Sequence, residues 1–175
     1  MIYFDNNATT FVAPEVLAAM TPFLTENCGN PSSSHAAGRA VRNIVDESRE
    51  EVARLLGAAY RDEIVFTSGG TESDSWAILG TVEARPEKRH IITTRVEHEA
   101  VRKTCERLES KGCDVTWLDV DSDGSLDPDQ LRDSLRADTG IVSVMMANNE
   151  TGILFPVAEL AEIVKSRSDA WFHVD

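Results

Sequence analysis

A three-layer α/β fold, a mostly parallel sheet with helices on both faces, is what this sequence predicts, and two observations carry that prediction. Short β-branched runs alternate along the chain with longer segments whose apolar residues recur at helical spacing. Strands separated by helix-length crossovers pair in parallel, and such sheets are covered on both sides. A length of 175 residues, 42% hydrophobic and 27% charged, is enough for one domain with a sizeable core.

The elements follow in order. A first helix is expected over 14–24, with Pro22 kinking or ending it because proline lacks an N–H and clashes one turn back. A second, over about 34–56, sets Val41, Ile44, Val45, Val52, Leu55 and Leu56 on one stripe and stops at Gly57, a residue suited to the left-handed position that closes helices. Strands are expected at 64–67, 90–94, 115–120, 141–147 and 171–174. Asp127 as N-cap and Pro128 in the first turn open a helix through Leu131 and Leu135. Pro156 opens another, in which Val157, Leu160, Ala161 and Val164 face inward. No internal repeat or low-complexity linker interrupts the series.

Charge and cysteine usage narrow the function. Thirty acidic residues against 17 basic ones give a net charge of -13, a surface that repels a phosphate backbone, so no nucleic-acid partner is expected. The start Met1-Ile2-Tyr3-Phe4-Asp5-Asn6-Asn7 has neither a basic flank nor an apolar signal core, and no run approaches membrane-spanning length. A cytoplasmic protein without a membrane partner is the expectation. Cys28, Cys105 and Cys113 are odd in number and lack metal-ligand spacing, so no disulfide framework and no metal site are expected. Each reads as a buried or half-buried thiol.

In parallel sheets the ligand crevice lies beyond the carboxyl ends of the strands. Four of the five expected strand ends carry chemistry: Ser68-Gly69-Gly70-Thr71, Glu97-His98-Glu99, Asn148-Asn149-Glu150-Thr151-Gly152, and Asp175. The first is an anion seat, where unpaired N–H groups, a positive helix end and close-approaching glycines meet the Thr71 hydroxyl. Each has a plainer alternative: a strand-to-helix turn, an exposed first-turn histidine, a turn before Gly152, a solvated acid. Together on one rim they describe a pocket for a phosphate, a hydrogen-bonded polar ring and an acidic anchor. Nucleotide fingerprints are absent: no Gly-x-x-x-x-Gly-Lys-Ser/Thr loop exists, and Gly69-Gly70 lies in no Gly-x-Gly-x-x-Gly run. Asp119-Val120-Asp121-Ser122-Asp123-Gly124 imitates a calcium loop, but its twelfth position is Gln130, Pro128 intrudes, and it follows a strand.

Six motifs succeed one another along the chain: Phe4-Asp5-Asn6-Asn7-Ala8-Thr9-Thr10, Gly29-Asn30-Pro31-Ser32-Ser33-Ser34-His35, Phe66-Thr67-Ser68-Gly69-Gly70-Thr71-Glu72-Ser73-Asp74, Val96-Glu97-His98, Ala147-Asn148-Asn149-Glu150-Thr151-Gly152 and His173-Val174-Asp175. In this order they resemble the signatures of the cysteine desulfurases, in the nitrogen-fixation and iron–sulfur-cluster branch of the class V pyridoxal-phosphate-dependent aminotransferases. The resemblance covers the whole chain. It implies the fold-type I large domain of these transferases in incomplete form. Residues 1–13 would be a segment at the small domain and active-site entrance, and 14–175 the N-terminal part of the cofactor-binding large domain.

The resemblance further implies pyridoxal 5'-phosphate as cofactor. Gly70 and Thr71 would hold its phosphate, and His98 would stack on the ring and shuttle protons. Asn149 would bond the ring's phenolic oxygen and the substrate carboxylate. Asp175 would keep the pyridine nitrogen protonated, so that the ring draws electrons from the substrate. Ala8 and His35 would lie near the substrate, and the carboxylates of Glu72 and Asp74 would point away from the phosphate they repel. The implied reaction converts L-cysteine to L-alanine and leaves a persulfide on the enzyme, from which an iron–sulfur scaffold or other acceptor protein takes sulfur. A homodimer is implied as well. Two of the family's principal groups have no counterpart. Lys88, Lys103, Lys111 and Lys165 stand outside the Ser-x-His-Lys context that follows the position of Asp175, and no cysteine occupies the family's catalytic loop. The chain is therefore expected to be an N-terminal half, inactive alone and completed by a complementary C-terminal half. A catalytically silent cofactor-binding or assembly module, and a related class V aminotransferase or lyase, are the alternatives.

Overall fold

Four short segments, two of them buried along their whole length, pair into one parallel sheet in the computed structural model of the chain, which describes residues 2–175. They are β1 (His90–Thr94), β2 (Asp114–Leu118), β3 (Thr139–Ser143) and β4 (Trp171–His173), in the spatial order β2-β1-β3-β4. Helix α3 (Gly70–Ala84) leads into β1, and α4 (Glu99–Ser110), α5 (Pro128–Ser134) and α6 (Val157–Arg167) make the crossovers. The period of two along each strand divides the core. Ile91, Val115 and Ile141 face one way, onto Ile78 and Val82 of α3 and Val101, Cys105 and Leu108 of α4. Ile92, Leu118 and Val142 face the other, onto Leu131 of α5 and Leu160, Ile163 and Val164 of α6. The fold is thus the three-layer α/β arrangement anticipated.

Register brings the strand ends to one edge. Thr94 pairs with Leu118, Thr93 with Ser143, and Ser143 with His173, so the chain leaves β1, β3 and β4 on the same side. After β1 the chain crosses to β2, and after β3 it crosses to β4 in the opposite direction. The switch point, where a crevice opens in such sheets, lies between β1 and β3. At the other end, His90 is fully buried between two hydroxyls, Nδ1 2.9 Å from Thr139 Oγ1 and Nε2 2.8 Å from Thr116 Oγ1. Burial, aided by the charge of Arg136, lowers its pKa and keeps the ring neutral.

These strands and helices belong to a unit spanning Thr67–Asp175, and a second unit ends at Phe66. Met1, the first residue of the segment expected over 1–13, lies outside the described residues. The second unit carries α1 (Pro14–Thr25) and α2 (Ala36–Leu56). Helix α1 continues through Pro22 to Thr25 rather than ending there. It buries no residue, so solvent reaches the carbonyl that proline leaves unpaired. His35 caps α2, its Nδ1 accepting the Gly38 N–H at 3.3 Å, and Gly57 closes it at φ 71°. Val41, Val45 and Val52 are half-buried, but Ile44 is exposed and Leu55 and Leu56 are 84% and 70% exposed, so the expected stripe is narrower than anticipated and fades in the last turn.

Residues 64–67 are a further correction. They form no ladder, because among the described residues no strand pairs with them. The backbone is extended after the 3-10 turn Arg61–Glu63, with Ile64 at φ -92° and ψ 121°. Strand β3 also ends at Ser143, short of the expected Ala147. The reason is a contact distant in sequence: the Met145 N–H is taken by the Glu97 side chain at 3.1 Å instead of a neighbouring strand. Pro156 precedes α6 as its N-cap, one position earlier than expected. The calcium-like loop is a polar turn. Asp121 Oδ1 accepts the N–H groups of Asp123 and Ser125, both at 2.9 Å, and Asp127 caps α5 ahead of Pro128. Among the described residues no helix is long and apolar enough to cross a membrane.

Candidate functional site

At the carboxyl edge of the sheet a hollow of about 330 Å³ brings together Gly70, Thr71, His98, Asn149 and Asp175, with Asp74, Met145 and Ala147 completing its lining. Each arrives by its own route. Gly70 and Thr71 open α3, whose N-cap Gly69 offers no side-chain cap. The N–H groups of Glu72 and Ser73 both donate to the Gly69 carbonyl at 3.1 Å, whereas those of Gly70 and Thr71 have no protein partner among the described residues. A Cβ built on Gly70 meets no atom within 4 Å, so the space before this backbone is open. The Glu72 carboxylate turns back to Ser68, accepting its N–H and hydroxyl at 2.6 Å each, and these bonds lower its pKa. It leaves the first-turn donors unobstructed, as anticipated.

His98 is the N-cap of α4. Its Nδ1 accepts the Ala100 N–H at 3.2 Å, so in the neutral ring the proton sits on Nε2. Asn148 and Asn149 divide their labour. Asn148 builds the turn: its amide donates to the Val96 carbonyl at 3.0 Å, and its Oδ1 accepts from Glu150 N, Thr151 N and Thr151 Oγ1. Asn149, the next residue, reaches the hollow. Asp175 follows β4, with its carbonyl accepting the Met146 N–H at 2.8 Å.

Acids crowd the floor. Asp74 lines the hollow rather than pointing away from it, and is 6% exposed. Burial and the charge of Asp175 push its pKa up to about 6, partly offset by His98. Its Oδ1 lies 3.5 Å from His173 Nε2, while His173 Nδ1 is 2.9 Å from Ser143 Oγ. Burial lowers the His173 pKa against the pull of Asp175, so at neutral pH this contact is not a pair of full charges. Glu97, also 6% exposed, is pushed up to about 7 by burial, with Asp175 and Asp74 adding to the effect. Neither Asp74 nor Glu97 was singled out from sequence as a site residue. The one mark of Glu97 is an acid just past a strand buried along its whole length.

Of the remaining residues singled out, Ala8 and His35 lie in the unit ending at Phe66. Ala8 sits in a turn, donating its N–H to Asp5 O at 3.2 Å. Cys105 and Cys113 are buried, and Cys105 is pushed up to about 12 by burial; Cys28 is exposed, contrary to the expectation of a buried or half-buried thiol. The site's chemistry is that of an anion seat facing a carboxylate, with an imidazole and an amide between.

Comparison with known proteins gives this geometry a context. The family described as aminotransferase class-V matches residues 2–175. A cysteine desulfurase of Nostoc sp. is 54% identical over 175 residues, which are 100% of this chain and 43% of that protein. The cysteine desulfurase NifS of Azotobacter vinelandii is 49% identical over 174 residues, 99% of this chain and 43% of that protein. Among solved structures, a NifS-like protein superposes with a TM-score of 0.95 at 42% identity, over 99% of this chain and 48% of the other. A structure titled SspA in complex with cysteine reaches 0.94 at 37% identity, over 99% of this chain and 50% of the other. The chain thus spans less than half the length of these curated relatives.

Proposed function

The chain belongs to the aminotransferase class-V family, and on that footing we propose that it is the N-terminal part of a pyridoxal 5'-phosphate-dependent cysteine desulfurase. The reading rests above all on one observation, the convergence of Gly70, Thr71, His98, Asn149 and Asp175 on a single hollow. It is supported by relatives described as cysteine desulfurases and by a structural neighbour, SspA, in complex with cysteine.

The residues fit the cofactor. Two unpartnered N–H groups, a hydroxyl and open space over Gly70 suit a phosphate at the positive end of α3. Asp175 across the hollow suits a protonated pyridine nitrogen, and Asn149 a ring oxygen. When bound, the cofactor supplies an electron sink for bonds at the substrate carbon. His98, its Nδ1 held by Ala100, presents Nε2 as the atom that gives or takes a proton. Asn148 keeps the Asn149 loop in place. Ala8 and His35 belong to the substrate end, with L-cysteine as substrate. The lysine that bonds the cofactor and the thiolate that accepts sulfur come from sequence outside these 175 residues. Cys105, buried and with a pKa near 12, is no nucleophile at neutral pH. The sulfur then passes to an iron–sulfur scaffold or another acceptor, the active form is a dimer, and the chain alone does not turn over.

Calorimetric titration of the chain with pyridoxal 5'-phosphate, followed by addition of a C-terminal part carrying Ser-x-His-Lys and cysteine, tests the reading. Binding to the chain, then release of alanine and, with dithiothreitol present to reduce the persulfide, of an equal amount of sulfide once both parts are present, is the expected result. Absence of binding by the assembled protein overturns it, and binding without turnover favours a silent module.

A further inference from the structure

Two loops carry the residues on either side of the hollow's mouth, and two hydrogen bonds join them. Glu97 Oε1 accepts the Met145 N–H at 3.1 Å as well as the Thr94 hydroxyl at 2.8 Å, and the Asn148 amide donates to the Val96 carbonyl at 3.0 Å. His98 follows Glu97 directly, and Asn149 follows Asn148. His98 and Asn149 are therefore each the neighbour of a residue that ties the loops. The other oxygen, Glu97 Oε2, is buried and has no partner among the described residues.

We propose that Glu97 is a positioning residue whose buried carboxyl, in its protonated form, holds the loop carrying His98 against the end of β3 that leads to Asn149. The surroundings favour that form. The charged and titratable groups that bear on it are Asp74 from α3, Asp175 beyond β4 and Cys105 from α4. His98 at the start of α4 and His173 on β4 adjoin the same acids. Among the described residues no lysine or arginine forms an ion pair with Glu97. The donors to Oε1, a hydroxyl and an amide, favour the carboxylate, but burial outweighs them. Loss of the proton places an uncompensated charge beside two acids, and the buried Oε2 meets no donor that would relieve it. Ionisation of Glu97, whose carboxyl is pushed up to about 7, therefore perturbs both ends of the tie together.

What His98 and Asn149 do once positioned rests on the proposed cofactor reading, but the tie does not, and it is tested in the chain without cofactor. NMR is followed from pH 5 to 9 in protein labelled with 13C at glutamate carboxyls and 15N throughout. In the wild type the Glu97 carboxyl, the Met145 amide and the Asn149 side-chain amide are expected to shift together near pH 7. Glu97→Gln, which keeps an acceptor but cannot ionise, is expected to hold the Met145 and Asn149 signals near their low-pH wild-type positions and abolish that step. Thr94→Val, which removes one donor to Oε1, is expected to displace the step to higher pH. A Glu97 carboxyl that titrates in the ordinary glutamate range, or a Glu97→Gln variant that keeps the step, overturns the proposal. Failure of the cofactor titration above with this NMR result intact separates the two readings.

Discussion

At the residue scale, neighbours of the same type do different work. Asn148 spends its whole amide on the protein, with two bonds given, to the Val96 carbonyl and Met145 Sδ, and three accepted, while Asn149 faces the hollow. Asn148→Ala is therefore expected to lower stability by about 1–3 kcal/mol, because it strands the Val96 carbonyl and the N–H groups of Glu150 and Thr151. Urea denaturation checks this, and a change below a few tenths of a kcal/mol means the turn is held by other groups. Thr71→Ala is the contrasting case. Thr71 is exposed and its hydroxyl has no protein partner among the described residues, so the fold loses little. A bond to a charged phosphate is worth about tenfold or more in affinity. Weaker pyridoxal 5'-phosphate binding at an unchanged melting temperature is the expected pair of results; an unchanged affinity removes Thr71 from the phosphate site.

At the scale of elements, helix starts and stops decide what can approach what. A Cβ at Gly38, in the first turn of α2, would lie 2.5 Å from the Ser33 carbonyl oxygen and 2.6 Å from that of Asn30. Both are backbone atoms, so Gly38→Ala must displace the turn before His35. The expected loss is about 1–3 kcal/mol. Gly57→Ala, at φ 71° with open space around it, loses only about 1 kcal/mol by the left-handed penalty. Equal melting temperatures for the two variants contradict this account. Much of this was legible beforehand. Capping residues, β-branched runs and helical periods located α2, α5 and all four strands, because those signals are local. Residues 64–67 carry the same β-branched signal, but a strand exists only where a neighbour pairs with it, and composition cannot supply that information. The stop of β3 at Ser143 was equally hidden, since a glutamate 48 residues away takes the Met145 N–H. The rim residues were legible because glycines with a threonine, a histidine, paired asparagines and an aspartate fall at successive strand ends, although each alone suits an ordinary turn. Asp74 was read as turned outward, since its helix phase depends on how α3 packs against β4.

At the scale of the whole molecule, charge and burial compete over pH. Native Asp74 and Glu97 titrate at about 6 and about 7, above their ordinary values of 3.8 and 4.5. Between the ordinary and the native value the folded chain holds protons that the unfolded chain has released, so stability falls as pH rises through that window. His90 and His173 act in the opposite sense. Their native values are depressed from 6.5, so the unfolded chain takes up protons first and stability falls as pH drops below about 6.5. With a net charge of -13 adding self-repulsion at alkaline pH, the two trends leave maximum stability on the mildly acidic side of neutrality. Glu97→Gln isolates one contribution. At pH 8 it removes an ionised, buried carboxylate and is expected to stabilise the chain by roughly 1–3 kcal/mol. At pH 4.5, where Glu97 is already protonated in the fold, the gain should nearly vanish. Thermal melts of both proteins across this range should converge on the acid side and diverge above pH 7. Parallel curves would mean that Glu97 ionises in the folded chain as readily as in the unfolded one, and that the acids around the hollow do not share its electrostatics.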